Sequence, residues 1–266
     1  VQHMLDAGSV AARLWDTWLA PGLQRRFSEH LHLSMEDTRA LVCWLAATHD
    51  MGKATPEFTC QYDRQKNNEY FSAYRKRIRQ AKFDLPHDLT VPAKSGVHPD
   101  NKYSQSILTH LLTLPNNVEG MPSDIAVTLA SISGAHHGIP AAYFPDSRER
   151  NILILKQLSP QWHAVWRELY DITVERFGAT SALQQLAEHG HTIPVAVQFC
   201  ITGLVIMSDW IASNPDFFPM GTFGSAEQEQ RARIGWQALG LEQRWTAALD
   251  TNPDTPAADL YASRFG

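Results

Sequence analysis

Leu41-Val42-Cys43-Trp44-Leu45-Ala46-Ala47-Thr48-His49-Asp50-Met51-Gly52-Lys53 runs from an apolar helical pattern directly into an imidazole, a carboxylate and a glycine. Leu41, Val42, Trp44 and Leu45 give a wide buried face, and Gly52 is a stop signal. His49 and Asp50 therefore stand at the end of a buried helix, where they add little to a core. One reading is a cap, with His49 on the last helical carbonyls and Asp50 opening a turn that closes at Gly52. The other is a metal edge: imidazole suits borderline transition metals, and a carboxylate has two oxygens with which to bridge two ions. An isolated His-Asp pair is most economically a cap. What favours the metal is the rest of the chain, which repeats these residue types in matching settings.

Outward from this stretch, nearly every segment has helical rather than alternating periodicity, so the expected class is all-α. Ser34 with Asp37 forms an acidic capping box that opens the helix ending at His49-Asp50. Before it, Leu5, Val10, Leu14, Trp15, Trp18 and Leu19 mark a helix from about His3 to Leu19, ended by Pro21-Gly22. After it, Thr55-Pro56 starts a short helix. Asp84 to Asn101, with Pro86, Pro92, Gly96 and Pro99, reads as the longest loop. Helices are then expected over Ser104–Leu114, from Pro122-Ser123-Asp124 to Gly134, and over Ser147–Leu158, Pro160–Phe177, Ser181–His189, Pro194–Ser213 and Ala226–Leu249. No repeat or second-domain signal interrupts them. Residues 1–250 read as one domain and 251–266 as a C-terminal linker.

Composition narrows the function. Of 266 residues, 44% are hydrophobic and 19% charged, the balance of an ordinary globular protein. A net charge of −5 argues against a dedicated duplex-DNA binder, so nucleic-acid contact must be local or made through a partner. Cys43, Cys60 and Cys200 form no Cys-x-x-Cys pair, which argues against disulfides and thiolate zinc sites and suits a reducing cytoplasm. The longest apolar stretch, Ile193 to Met207, is broken by Pro194 and Gln198. It is too short to span a bilayer and reads as a buried helix, with no membrane partner expected. Arg64 to Lys82 interleaves Arg64, Lys66, Arg75, Lys76, Arg77, Arg79 and Lys82 with Tyr62, Tyr70, Phe71 and Tyr74. Such a stripe suits a single strand, with cations along phosphates and rings against bases; it equally suits a solvated helix face whose rings turn inward.

Five places share one chemical need: His3, His49-Asp50, His110, His136-His137 and Asp209. Asp209 follows the apolar Ile201–Met207 and precedes Trp210-Ile211, in a run that looks wholly buried. A buried carboxylate needs a metal, an arginine or helix-terminal amides as partner. His136 and His137 lie between Gly134 and Gly138, whose backbone freedom would let both rings turn to one side.

On these residues the chain resembles the HD metal-dependent phosphohydrolase superfamily. The wording is nearer still to the HD nuclease domain of the CRISPR-associated type I interference nuclease–helicases of the I-E branch. The matching phrases are His3-Met4-Leu5-Asp6 with Val10-Ala11 and Leu14-Trp15-Asp16, His49-Asp50-Met51-Gly52-Lys53, Gly134-Ala135-His136-His137-Gly138 and Ser208-Asp209-Trp210. Arg264-Phe265-Gly266 resembles the phrase that precedes the helicase domain in that family. The helicase itself is not in this chain: Gly52-Lys53-Ala54-Thr55 lacks the upstream glycine of a P-loop.

The resemblance implies an HD-domain helical bundle and a nuclease that cuts single-stranded DNA at a two-metal site, with a metal-activated water as nucleophile. Its partners would be a helicase domain, fused or separate, and a Cascade-type effector complex. Asp50 would bridge the ions; His3, His49 and Asp209 would complete one site, and His136, His137 and a middle-motif histidine the other. Lys53 matches the lysine beside the scissile phosphate. At the middle motif, family members often carry a histidine about five residues before the position of His110, where this chain has Gln105. His110 is the expected ligand there, the alternatives being His98 or a weakly held second ion. A histidine-rich set favours Mn²⁺, Fe²⁺, Co²⁺ or Ni²⁺ over Mg²⁺. The alternative function is a stand-alone HD phosphohydrolase acting on nucleotides or other phosphate esters, and a third is a metal-free scaffold that only docks a partner.

Overall fold

Helix formation follows the apolar spacing almost throughout. In the computed structural model, residues 1–59, 69–85, 99–114, 121–139, 155–219 and 225–241 are described, together with Asp259, and every regular element among them is helical. The first helix, α1 (Gln2–Arg13), runs without a break into a π turn over Leu14–Trp18, where Leu19 N–H donates to Leu14 O at 2.7 Å. Pro21 ends that run, as expected, but it also opens α2 (Pro21–Leu31) from its first position. Ser34 caps α3 (Met35–Thr48): its Oγ accepts the Asp37 N–H at 3.0 Å and donates to the Asp37 carboxylate at 2.7 Å. A 3₁₀ turn, Met51–Lys53, leads to α4 (Pro56–Thr59). Within the basic stretch, Glu69–Gln80 forms the helix α5.

The next helix corrects the expected boundary: α6 spans Pro99–Leu112, so Pro99 and Asp100 belong to a first helical turn rather than to a loop. Helix α7 (Ser123–Gly134) ends where the glycine indicated. Helices α8 (Pro160–Phe177), α9 (Thr180–His189) and α10 (Val195–Ala212) match the spacing within a residue or two, and α11 covers Ser225–Leu239. The expected Ser147–Leu158 helix falls largely, and the 251–266 linker almost wholly, outside the described residues.

The centre of the bundle is α3. Leu41, Val42, Cys43, Trp44, Leu45, Ala46 and Ala47 are fully buried, because α1, α2, α7, α8, α9 and α10 pack around this helix on all sides. Each large side chain buried there contributes about 1.5–3 kcal/mol. Helix α10 departs from its expected full burial. Val197, Ile201, Leu204, Val205, Ser208, Asp209 and Ala212 face inward, while Val195, Phe199 and Trp210 are exposed. By length and composition α10 alone among the described helices suits a membrane span, yet it brings a serine and a carboxylate onto α1 and α3 as a core helix does.

These packings deliver polar residues from remote parts of the chain to one place. The 3₁₀ turn that follows α3 packs on α6, and α6 packs on α7. Gly52 permits the first of these contacts: a Cβ there would strike the Asp100 carbonyl oxygen and lie 2.6 Å from the Ser104 amide. The Gly52 N–H instead donates to Ser104 Oγ at 2.7 Å.

Candidate metal centre

His49 sits one residue beyond the last turn of α3, and its ring is anchored by Nδ1 on the Ala46 carbonyl at 2.7 Å. That bond makes Nδ1 the donor and leaves the Nε2 lone pair facing the interior. Nε2 lies 3.2 Å from His3 Nε2, 3.3 Å from Asp209 Oδ1 and 3.5 Å from Asp50 Oδ2. His3, from the first turn of α1, lies 3.0 Å from Asp209 Oδ1 and 3.5 Å from Asp50 Oδ2. The helical cap and the metal edge are therefore one arrangement: Nδ1 does the first and Nε2 is free for the second.

A second group lies on the far side of Asp50. His136 Nδ1 is held by Ser133 O at 3.3 Å, again leaving Nε2 inward, 3.9 Å from Asp50 Oδ1 and 4.0 Å from Asp100 Oδ2. His137 Nε2 is 3.4 Å from Asp100 Oδ2. Of the flanking glycines only Gly138 has a positive φ, at 88°. Gly134 is the last helical residue of α7, and its role is close approach, since a Cβ there would lie 3.0 Å from the Asn101 carbonyl.

The arrangement brings His3, His49, Asp50 and Asp209 together, and beside them His136 and His137. It does not bring His110. That residue stands ten positions after Asp100 on the same helix, roughly 15 Å along its axis at 1.5 Å per residue. Its ring packs instead near that of His163, with centroids 6.0 Å apart. Gln105 does not fill the place either: its amide donates to Ser131 Oγ at 2.7 Å. His98 lies outside the described residues. The residue that joins the second group is Asp100, which the loop reading of Asp84–Asn101 concealed. A signal for it exists, because Pro followed by Asp is also a helix-start pattern.

Electrostatics follow from this crowding. Burial alone would raise the Asp50 carboxyl, but His49, Lys53 and His3 together hold it below the ordinary range. Asp209 is likewise held down against burial, by the nearness of the His3 and His49 imidazoles. Burial lowers His49 while Asp50 and Asp209 raise it, and the net direction is up. His136 goes the other way, pressed down to about 4 by burial and then by His49. Lys53 donates its ammonium to Asp50 Oδ2 and is partly exposed, at the mouth of a cleft of about 650 Å³. Val165, Leu169 and Phe218 form an apolar wall of that cleft.

Two features test whether divalent ions fit. Asp50 Oδ1 and His136 Nε2 are buried and have no hydrogen-bond partner, although a buried polar atom ordinarily has one. Atoms bound to one ion at roughly 2.0–2.2 Å lie about 3 Å or somewhat more apart. His3, His49 and Asp50 show that spacing, and Asp100, His136 and His137 show a slightly wider one. The residues of both groups fit divalent ions.

Comparison with known proteins identifies the family. Residues 1–218 match the family model described as "Cas3, HD domain". The CRISPR-associated nuclease/helicase Cas3 of Streptococcus thermophilus is 26% identical over 288 residues, covering 100% of this chain and 28% of that protein. The CRISPR-associated endonuclease/helicase Cas3 of Thermus thermophilus is 30% identical over 253 residues, covering 91% of this chain and 25% of its own length. The chain thus spans about a quarter of these curated relatives. The Thermus thermophilus Cas3 HD domain, crystallised in the presence of Ni²⁺, superposes with a TM-score of 0.60 at 24% identity, over 90% of this chain and 82% of that one. Helical architecture, a paired His/Asp centre and a family match over most of the sequence converge: the chain belongs to the Cas3 HD domain family.

Proposed function

We propose that this domain hydrolyses phosphodiester bonds of single-stranded DNA during CRISPR interference, at two divalent ions held on either side of Asp50. The observation that carries the reading is the single buried carboxylate with a ligand group on each side. His3, His49, Asp209 and Asp50 Oδ2 would hold one ion; His136, His137 and Asp50 Oδ1 would hold the other. When bound, such ions attract phosphate oxygens, lower the pKa of a water and neutralise charge in an in-line displacement. The protein's own part is to fix the donors. Ala46 and Ser133 set the tautomers of His49 and His136, and Lys53 offers a cation to the phosphate at the cleft mouth.

Substrate class is argued from access. His3, Lys53 and His137 have side chains 30%, 40% and 39% exposed, so the centre opens along one edge instead of closing around a nucleotide. That favours a flexible strand over the stand-alone phosphohydrolase alternative. On α5, Arg75, Lys76 and Arg79 border a cleft of about 400 Å³ and supply a local basic surface on an otherwise acidic chain. The side chains of Tyr70, Phe71 and Tyr74 lie outside the described residues. A helicase, fused or separate, would feed the strand, a Cascade-type complex would recruit it, and the cytoplasm would house the reaction.

The test uses ion-stripped protein reloaded with Mn²⁺, Fe²⁺, Co²⁺ or Ni²⁺. Circular single-stranded DNA should be cut, with intact duplex largely spared. Replacing Arg75, Lys76, Arg77 and Arg79 by Glu should weaken strand binding, most at low salt, while leaving hydrolysis of a small chromogenic phosphodiester nearly unchanged. Rapid nucleotide hydrolysis without DNA cleavage would instead support the phosphohydrolase.

A further inference from the structure

The geometry points to Asp100 as the remaining ligand of the second ion, making that site one of two carboxylates and two imidazoles. The inference rests on the two-ion reading and assigns the place His110 was expected to fill.

Four observations converge on it. Asp100 is 6% exposed, and its Oδ2 faces His137 Nε2 at 3.4 Å and His136 Nε2 at 4.0 Å. Among the described residues no lysine or arginine is paired with it, and its charge is met by imidazoles. The unpartnered Asp50 Oδ1 and His136 Nε2 border the same space. Finally, the placement of Asp100 is built in: the first turn of α6 is wedged between Gly52 and Gly134, neither of which leaves room for a Cβ without a shift.

The two sites then have matched donors. Each takes two imidazoles, one carboxylate of its own (Asp209 or Asp100) and one oxygen of Asp50. Three carboxylates against two divalent ions leave a single net positive charge, enough to draw a phosphodiester while holding both ions. The extra carboxylate has a chemical consequence. An oxygen donor in place of an imidazole moves the second site toward harder ions, so it should depend on Asp100 more for Mn²⁺ than for Ni²⁺.

The experiment measures ions, not turnover. Wild type, Asp100→Asn, His137→Ala and His110→Ala are stripped, checked for fold by circular dichroism, and titrated with Mn²⁺ or Ni²⁺ while elemental analysis counts the bound ions. Electron paramagnetic resonance separates coupled from isolated Mn²⁺. Wild type and His110→Ala should hold two ions with a coupled signal. Asp100→Asn and His137→Ala should keep one ion with an isolated signal, the second being weakened by about 100-fold or more for Mn²⁺ and less for Ni²⁺. Asp100→Asn is nearly isosteric; should it nonetheless misfold, His137→Ala, at a partly exposed position, reports on the same site. Two ions in Asp100→Asn with wild-type affinity, two retained in His137→Ala, or a second ion lost in His110→Ala would overturn the assignment and leave the two-ion nuclease standing. A wild type that binds one ion removes the second site altogether. A wild type that binds none overturns the nuclease reading itself.

Discussion

Asp6 and Asp50 are both buried carboxylates on the same cleft, and the fold treats them oppositely. Asp6, on α1, is closed by the protein. Arg231 of α11 reaches both its oxygens at 3.0 and 3.1 Å, Gln228 donates at 2.8 Å and Gln2 at 3.2 Å. Asp50 has Lys53 on one oxygen and nothing hydrogen-bonded to the other. A carboxylate that has to hold helices together is given a guanidinium and amides, which never dissociate from the chain. Asp50, which on the proposed function would hold an exchangeable cation, is given imidazoles, which can turn their lone pairs to a metal. Burial is common to both; the neighbours tell them apart.

That contrast can be broken by mutation. The largest effect is expected from Asp50→Ala: both ions should be lost and cleavage of single-stranded DNA should fall on the order of 10⁴-fold, measured by elemental analysis and a single-turnover assay. Retained metal and rate would remove the distinction. Arg231→Met should act on stability instead. It leaves Asp6 buried without its guanidinium, at roughly 3–5 kcal/mol, seen as a lower urea midpoint, with ion stoichiometry unchanged in the folded fraction. Lys53→Ala should slow turnover by about 100-fold without changing ion content, since a positioned cation is lost and no ligand is. An unaltered rate would make Lys53 a counter-charge only.

The smallest effect concerns His110, which faces His163 and basic side chains. Burial, and then His163, lower the His110 imidazole below its ordinary value. The unfolded chain therefore takes the proton first as pH falls, and the stability His110 contributes is present at neutral pH and lost through the ordinary imidazole range. His110→Leu should flatten the fall in melting temperature between about pH 7 and 5 while ion binding stays as it was. A changed ion count would mean that His110 belongs to the centre after all.

These particulars also show what a sequence discloses. His49, Asp50 and Asp209 stood out because each is a polar residue in an apolar helical run, a local conflict legible without coordinates. Ser34 and Gly134 disclosed the limits of α3 and α7 for the same reason: caps and stops act over three or four residues. Asp100 was hidden because proline-rich loops and helix starts share residue types, and only the packing of α6 on Gly52 decides between them. His110 misled because nearness in sequence is not nearness along a helix axis. The Asp6–Arg231 pair spans 225 positions and leaves no local trace. The exposed side of α10 was illegible too, since hydrophobicity alone does not say which face meets a neighbour.

His3 and Asp209 lie 206 positions apart and meet at 3.0 Å. Between them the chain must complete α3, α6 and α7 before α10 arrives with the last carboxylate. On the two-ion reading proposed above, a ribosome would release no half-armed cutter: until α10 has emerged and docked on α1, the first ion would lack Asp209, however much of the bundle has already folded. Under the proposed function, the order of synthesis would act as a safety catch on the cutting centre.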